Sequence, residues 1–153
     1  MTSTLPRDIA TLLARIGLGA IFLAHGLQKV NVWGYSGTKA AFDGMGAPVP
    51  GVSAFLATWI EILGGIALIA GVLTPIVGLV LFLDMVGAYL IAHTGNGIWV
   101  ADGGYEFVLA LGVGSLLIAA VGAGKFSVDG VLGSRLPWVA SDRDSTTSPA
   151  SVS

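Results

Sequence analysis

The chain has 153 residues, of which 54% are hydrophobic and 10% charged, with a mean hydropathy of +0.86; soluble domains carry about a quarter charged residues, so this composition excludes an ordinary soluble fold and points to a membrane. A net charge of −2, with no basic run and no Gly-rich phosphate loop, excludes nucleic acid as a partner. There is no cysteine, so the chain cannot itself exchange disulfides, hold an iron–sulfur cluster or use a thiol nucleophile.

Apolar runs at residues 9–24, 52–73, 76–92 and 107–123 each approach the roughly 17 to 25 residues a helix needs to cross the hydrocarbon core. Backbone amides in lipid must be paired internally, and continuous apolar runs without alternation select helices over a barrel. The expected fold class is therefore all-α: a transmembrane four-helix up-down bundle with a short interfacial half-helix between the first two spans. It fills one domain over residues 1–129, and a polar tail follows over residues 130–153.

In chain order, residues 1–8 form a polar start in which Ser3 or Thr4 can cap a helix and Pro6 suits its first turn. The helix is expected to run to about Lys29. It reads as a span and not as a secretion signal, because Arg15 interrupts its apolar core and three more spans follow. At about 100° per residue, Arg15, Gly19, Phe22, Gly26 and Lys29 share one face, flanked by His25. That face should look inward, since a charge facing lipid costs about 2.5 to 3.5 kcal/mol even on lenient insertion scales.

Residues 30–51 read as the half-helix region. Trp33, Gly34, Tyr35 and Gly37 lead into a short mixed segment from Thr38 to Met45, closed by Gly46, Pro48 and Pro50. Its aromatics suit the headgroup layer. The second span carries Trp59 and Glu61, then Gly64, Gly65, Ala67 and Gly71, small residues that let helix backbones approach closely. Thr74-Pro75 predicts a tight hairpin into the third span, which carries Asp84 and ends near His93. After a glycine-rich turn the fourth span starts near Tyr105, with Glu106 in its first turn, where the helix dipole favours a carboxylate. Beyond Ser127 the chain turns polar; Trp138 marks an interface, and residues 141–153 lack apolar content to bury and read as disordered. Arg7, Lys125, Arg135 and Arg143 flank one side and Lys29 and Lys39 the other. The positive-inside bias then expects a multi-pass protein of the cell membrane with both termini cytoplasmic.

Counting about 1.5 Å per residue from the span ends puts Arg15, Glu61 and Asp84 in a midplane ion cluster. The same count gathers His25, Lys29, His93 and Glu106 in a wetter outer layer that can form a pocket's mouth. An internal salt bridge that merely fixes helix register competes with a functional role for the midplane charges. If Arg15 pairs with Glu61, Asp84 is left to bind a proton or another donor, which makes it the expected proton-exchanging group. His25 and His93 invite a bis-histidine haem. That ligand is disfavoured because His93 lies about 180° round an ideal helix from Asp84, so both face the bundle centre only with a kink or frayed end. No metal site is expected, for want of cysteine and of close His/acid spacing.

The chain resembles the DoxX family of small four-helix membrane proteins. The resemblance rests on Arg15-x-x-x-Gly19-x-x-Phe22-x-x-His25-Gly26-x-x-Lys29, Glu61-x-x-Gly64-Gly65 with Gly71 and Thr74, Gly104-x-Glu106, and Gly122-x-Gly124-x-x-Ser127-x-Asp129. Order and spacing agree over residues 15–129. The resemblance implies a membrane subunit, in some members tied to quinone-linked oxidation of sulfur compounds or to oxidative-stress defence. It marks Arg15, Lys29, Glu61 and Glu106 as family-type polar residues, whereas Asp84 and His93 come from this sequence alone.

Without cysteine, any electron transfer depends on a bound cofactor or on membrane or peripheral redox partner proteins. A quinone fits best: its ring can lie between apolar helices, its carbonyls can accept hydrogen bonds from Arg15, Lys29 or a histidine, and Asp84 or Glu106 can handle the proton. The expected function is a subunit of a quinone-linked redox or oxidative-stress system. The alternative is a non-catalytic membrane scaffold or small-solute transport component. The glycine-rich faces exceed what one small bundle needs, which leaves room for a homo-oligomer.

Overall fold

The computed structural model describes residues 5–133; the expectations for Trp138 and for a disordered tail at 141–153 lie outside the described residues. Every regular element among the described residues is helical. Helix α1 (Leu5–Gln28) leads through a π turn (Lys29–Trp33) into α2 (Gly34–Gly44). Then come α3 (Pro50–Ala70) and α4 (Thr74–Ala88), the latter extended by a second π turn (Tyr89–His93). A loop with one 3₁₀ turn (Val100–Asp102) precedes α5 (Glu106–Val121) and the short α6 (Val128–Leu132).

The spans α1, α3, α4 and α5 make the four-helix membrane bundle that the apolar runs predict. Glycines set its closest approaches. A Cβ on Gly19 would sit 2.7 Å from the Gly65 carbonyl oxygen, and one on Gly26 would sit 2.9 Å from the Ile62 nitrogen, so α1 and α3 are antiparallel and nearly in backbone contact. Gly78 meets the Ser115 carbonyl in the same way between α4 and α5. Apolar side chains face lipid as readily as each other, so this close backbone packing supplies the association that water would otherwise drive. Phe22, Leu68, Leu81, Met85, Leu111 and Ile118 fill the centre.

The α3–α4 hairpin is as tight as Thr74-Pro75 implies. Gly71 ends α3 at φ +72° with its N–H on the Ala67 carbonyl at 2.8 Å, a left-handed stop that glycine adopts without steric cost. Leu73 is also left-handed, at φ +48°, and Pro75 lies in the first turn of α4. Helix α5 has 16 residues, about 24 Å at about 1.5 Å per residue, and is shorter than the other three spans.

The half-helix begins earlier than the segment from Thr38 to Met45. No proline interrupts residues 29–45, so the chain stays helical through the π turn, bending at Gly34 (φ +65°). Thr38 holds the bend: its hydroxyl donates to the Lys29 carbonyl at 3.0 Å and the Gly34 carbonyl at 2.9 Å, satisfying groups that the widened turn frees.

At the hairpin end of the bundle, residues 122–132 fold back as a clasp that the sequence does not announce. The Asp129 carboxylate accepts the backbone N–H of Leu73 and that of Thr74, each at 2.8 Å, and the Asp129 N–H donates to the Gly71 carbonyl at 2.9 Å. Ser127 caps α6 by accepting from the Gly130 N–H at 2.9 Å.

Candidate functional site

Arg15 belongs to that clasp and not to a midplane cluster. It is completely buried, and its Nη2 donates to the Phe126 carbonyl at 2.5 Å. Asp129 is the acid whose field reaches it. The expected Arg15–Glu61 pair is absent for a reason of register. Gly19 lies opposite Gly65, so Arg15 is four residues to one side of that contact and Glu61 four to the other, about 12 Å apart along the axis. Counting from span ends assumed that all spans start level, but α1 begins at Leu5 and runs past the α3–α4 hairpin before reaching Arg15. Its first turns pack instead on the clasp, where Asp8 accepts the Lys125 N–H at 3.2 Å.

Glu61 has a different cation. Lys29 Nζ stands 2.5 Å from Glu61 Oε2, with both side chains largely shielded, and also reaches the His25 carbonyl at 3.5 Å. One turn before Lys29, His25 donates from Nδ1 to the Ile21 carbonyl at 2.9 Å and lays its ring against Phe107, centroids 5.4 Å apart. Charge-assisted pairs of this kind are strong only where geometry is held, and here the lysine sits at the first residue of a π turn anchored by Thr38.

Lys29, Glu61 and His25 line a cavity of about 630 Å³ that Asp84 and His93 also border. Asp84 Oδ2 is buried and has no hydrogen-bond partner among the described residues. His93 donates from Nδ1 to the Gly103 carbonyl at 2.7 Å. The helical-wheel objection to Asp84 and His93 sharing a face is met by the π turn at Tyr89–His93: each residue of a wider turn advances less about the axis, which brings His93 round. The remaining wall is apolar, with Phe22, Leu111 and Val108 from the bundle and Trp33, Phe42 and Met45 from the half-helix region.

Five of the seven polar residues singled out in the sequence thus meet at one cavity, and two do not. Arg15 is in the clasp. Glu106 closes the loop before α5, its Oε1 accepting the Val100 N–H at 2.8 Å while its own N–H donates to the Ile98 carbonyl at 2.9 Å. Nearby, a Cβ on Gly104 would collide with backbone from Gly97 to Trp99, which explains a glycine two residues before that acid. Phe42 and Met45 on the cavity wall went unmarked. Their signal was the spacing of apolar residues on α2, visible only if the helix is known to start at Gly34. Among the described residues, no group of three His, Asp or Glu side chains is placed to hold a metal ion.

The DoxX family model matches residues 10–94. The chain is similar to "Putative oxidoreductase CatD" of Bacillus subtilis (strain 168), 37% identical over 83 residues, which cover 54% of this chain and 59% of that protein. It is 32% identical to "Inner membrane protein YqjF" of Escherichia coli (strain K12) over 126 residues, 82% of this chain and 93% of that one. With "Inner membrane protein YphA" of the same organism it shares 27% over 128 residues, 80% and 90% of the two chains. The chain therefore spans under two thirds of CatD but nearly the whole length of the two inner membrane proteins. No solved structure matches it.

Proposed function

The chain belongs to the DoxX family of membrane proteins, and from that premise we propose that it is a membrane subunit of a redox or oxidative-stress system, holding a quinone-like molecule in the cavity between its helices. The observation that carries the reading is the Lys29–Glu61 ion pair on the wall of an otherwise apolar cavity of about 630 Å³, with His25, Asp84 and His93 beside it. Small-molecule sites are mostly apolar, of roughly 300 to 1,000 Å³, with a few fixed polar groups that set orientation. A quinone, when bound, supplies two-electron, two-proton chemistry. The chain's own contribution is positional: Glu61 holds the Lys29 ammonium where it can donate to a ring oxygen, and Asp84 Oδ2 is an acceptor able to hold a proton. The aromatic and aliphatic wall keeps water off the ring. With no cysteine in the sequence, electrons come from a partner protein or a second bound group. The printed name of the CatD relative, an oxidoreductase, supports the same reading.

Placement in the cell membrane with both termini cytoplasmic agrees with the relatives named as inner membrane proteins and with Arg7 and Lys125 lying opposite Lys29 and Lys39. The test is extraction of small molecules from gently purified protein, read by mass spectrometry. A lipid-soluble quinone should co-purify and be lost from Lys29→Ala and Glu61→Ala variants that keep their helical circular dichroism. Protein free of quinone that also fails to bind added quinone would refute the reading.

A further inference from the structure

The two histidines on the cavity wall are fixed in the same way. Each points Nδ1 at a backbone carbonyl, Ile21 for His25 at 2.9 Å and Gly103 for His93 at 2.7 Å. A carbonyl only accepts, so each Nδ1 carries the hydrogen, and in a neutral imidazole Nε2 is then an acceptor only. Neither Nε2 makes a hydrogen bond among the described residues, and both rings border the cavity. Asp84 Oδ2, buried and without a hydrogen-bond partner among the described residues, is a third acceptor on the same wall.

The donors are fewer or less well aimed. Lys29 is engaged by Glu61 at 2.5 Å and by the His25 carbonyl. The Trp33 indole and the Gln28 amide also border the cavity, but no hydrogen bond among the described residues orients either side chain. Pre-oriented groups discriminate between ligands; freely turning ones accommodate whatever arrives. The wall therefore asks its ligand for hydrogen-bond donors.

A quinone and its reduced form differ in this respect. The dicarbonyl ring only accepts, whereas the dihydroxy ring offers two O–H donors and retains oxygen lone pairs for Lys29. We infer that the cavity selects the hydroquinone form of its aromatic ligand over the quinone form, with Nε2 of His25 and Nε2 of His93 as the specificity-determining acceptors. The inference rests on the reading of the cavity as a quinone-type site and adds to it which oxidation state is held. A site that rejects a ligand lacking the matching hydrogen does so because its own buried polar groups are left unpaired.

The experiment is anaerobic isothermal titration calorimetry on the full chain in mild detergent, with three probes of one ring and one decyl tail: the hydroquinone, the quinone and the hydroquinone O,O-dimethyl ether. The hydroquinone should bind about tenfold or more tightly than either of the others, the order expected for one or two hydrogen bonds made to it alone. In the His25→Phe/His93→Phe variant the difference should shrink to within about threefold, from loss of those acceptors. Quinone binding as tightly as hydroquinone, or the dimethyl ether matching it, would overturn the selection while leaving the cavity reading in place. Failure of all three probes would overturn both. Since the ether comparison needs only the unaltered chain, the result does not depend on the double variant folding.

Discussion

Replacing Asp129 by alanine tests the clasp at the hairpin end. The carboxylate is 7% exposed and accepts two backbone N–H groups at 2.8 Å, Leu73 in a left-handed conformation and Thr74 at the start of α4. Hydrogen bonds to a charged group contribute about 1.5 to 3 kcal/mol each, which for two gives about 3 to 6. Leu73 is half-exposed, so its N–H recovers water on loss of the carboxylate, and the expected cost falls to about 3 kcal/mol, above the roughly 1 kcal/mol of an ordinary cap because two donors are stranded at once. Asp129→Asn keeps one acceptor oxygen and should cost about half as much. The Arg15 guanidinium, buried beside the same segment, loses its acid, so an Arg15→Met/Asp129→Ala cycle should show a coupling of about 1 kcal/mol or more. The assay is reversible SDS unfolding in mixed micelles followed by tryptophan fluorescence, with ligand titration alongside. Affinity at the cavity should not change, since the clasp lies at the opposite end of α3. An Asp129→Ala variant within about 0.5 kcal/mol of the parent, the range of an ordinary surface substitution, would refute the reasoning.

Three further outcomes follow from the packing. Lys29→Met strands the shielded Glu61 carboxylate and should cost about 3 to 5 kcal/mol, whereas Lys29→Met/Glu61→Leu should recover most of that loss while still abolishing ligand binding; the same unfolding assay and calorimetry separate the two effects. Gly65→Leu drives a side chain into the backbone of Gly19 and Leu23 and should lower stability by about 3 kcal/mol or prevent folding. Gly17→Ala meets nothing within 4 Å and should raise stability by about 0.5 kcal/mol through helix propensity. Glu106→Ala releases the Val100 N–H and should cost about 1 kcal/mol, with faster hydrogen exchange confined to residues 97–106 as its readout.

The architecture was legible because lipid leaves the backbone few options: four apolar runs gave four spans, and Thr74-Pro75 gave the hairpin. The cavity was partly legible for the same reason, since His25, Lys29, Glu61, Asp84 and His93 had to avoid lipid and only one interior was available. Their pairing was not legible. Glu61 takes Lys29 over Arg15 because the α1–α3 register is set by Gly19 on Gly65, a backbone contact that hydropathy does not encode. Asp129 stood out only as the last residue of a motif; its role depends on residues 122–132 folding back 56 positions to Leu73, and no periodicity announces so distant a partner.

The two widened turns, at residues 29–33 and 89–93, each accommodate one residue beyond what a regular α path would take between the same points. Deleting Val32 would let the first of them relax to an ordinary turn and swing all of α2 by about 100°, carrying Phe42 and Met45 off the cavity while leaving Lys29 where it is. Chain length at these two places is thus under the same constraint as side-chain identity. Insertions and deletions should be accepted in the loops around residues 46–48 and 95–98, and rejected there.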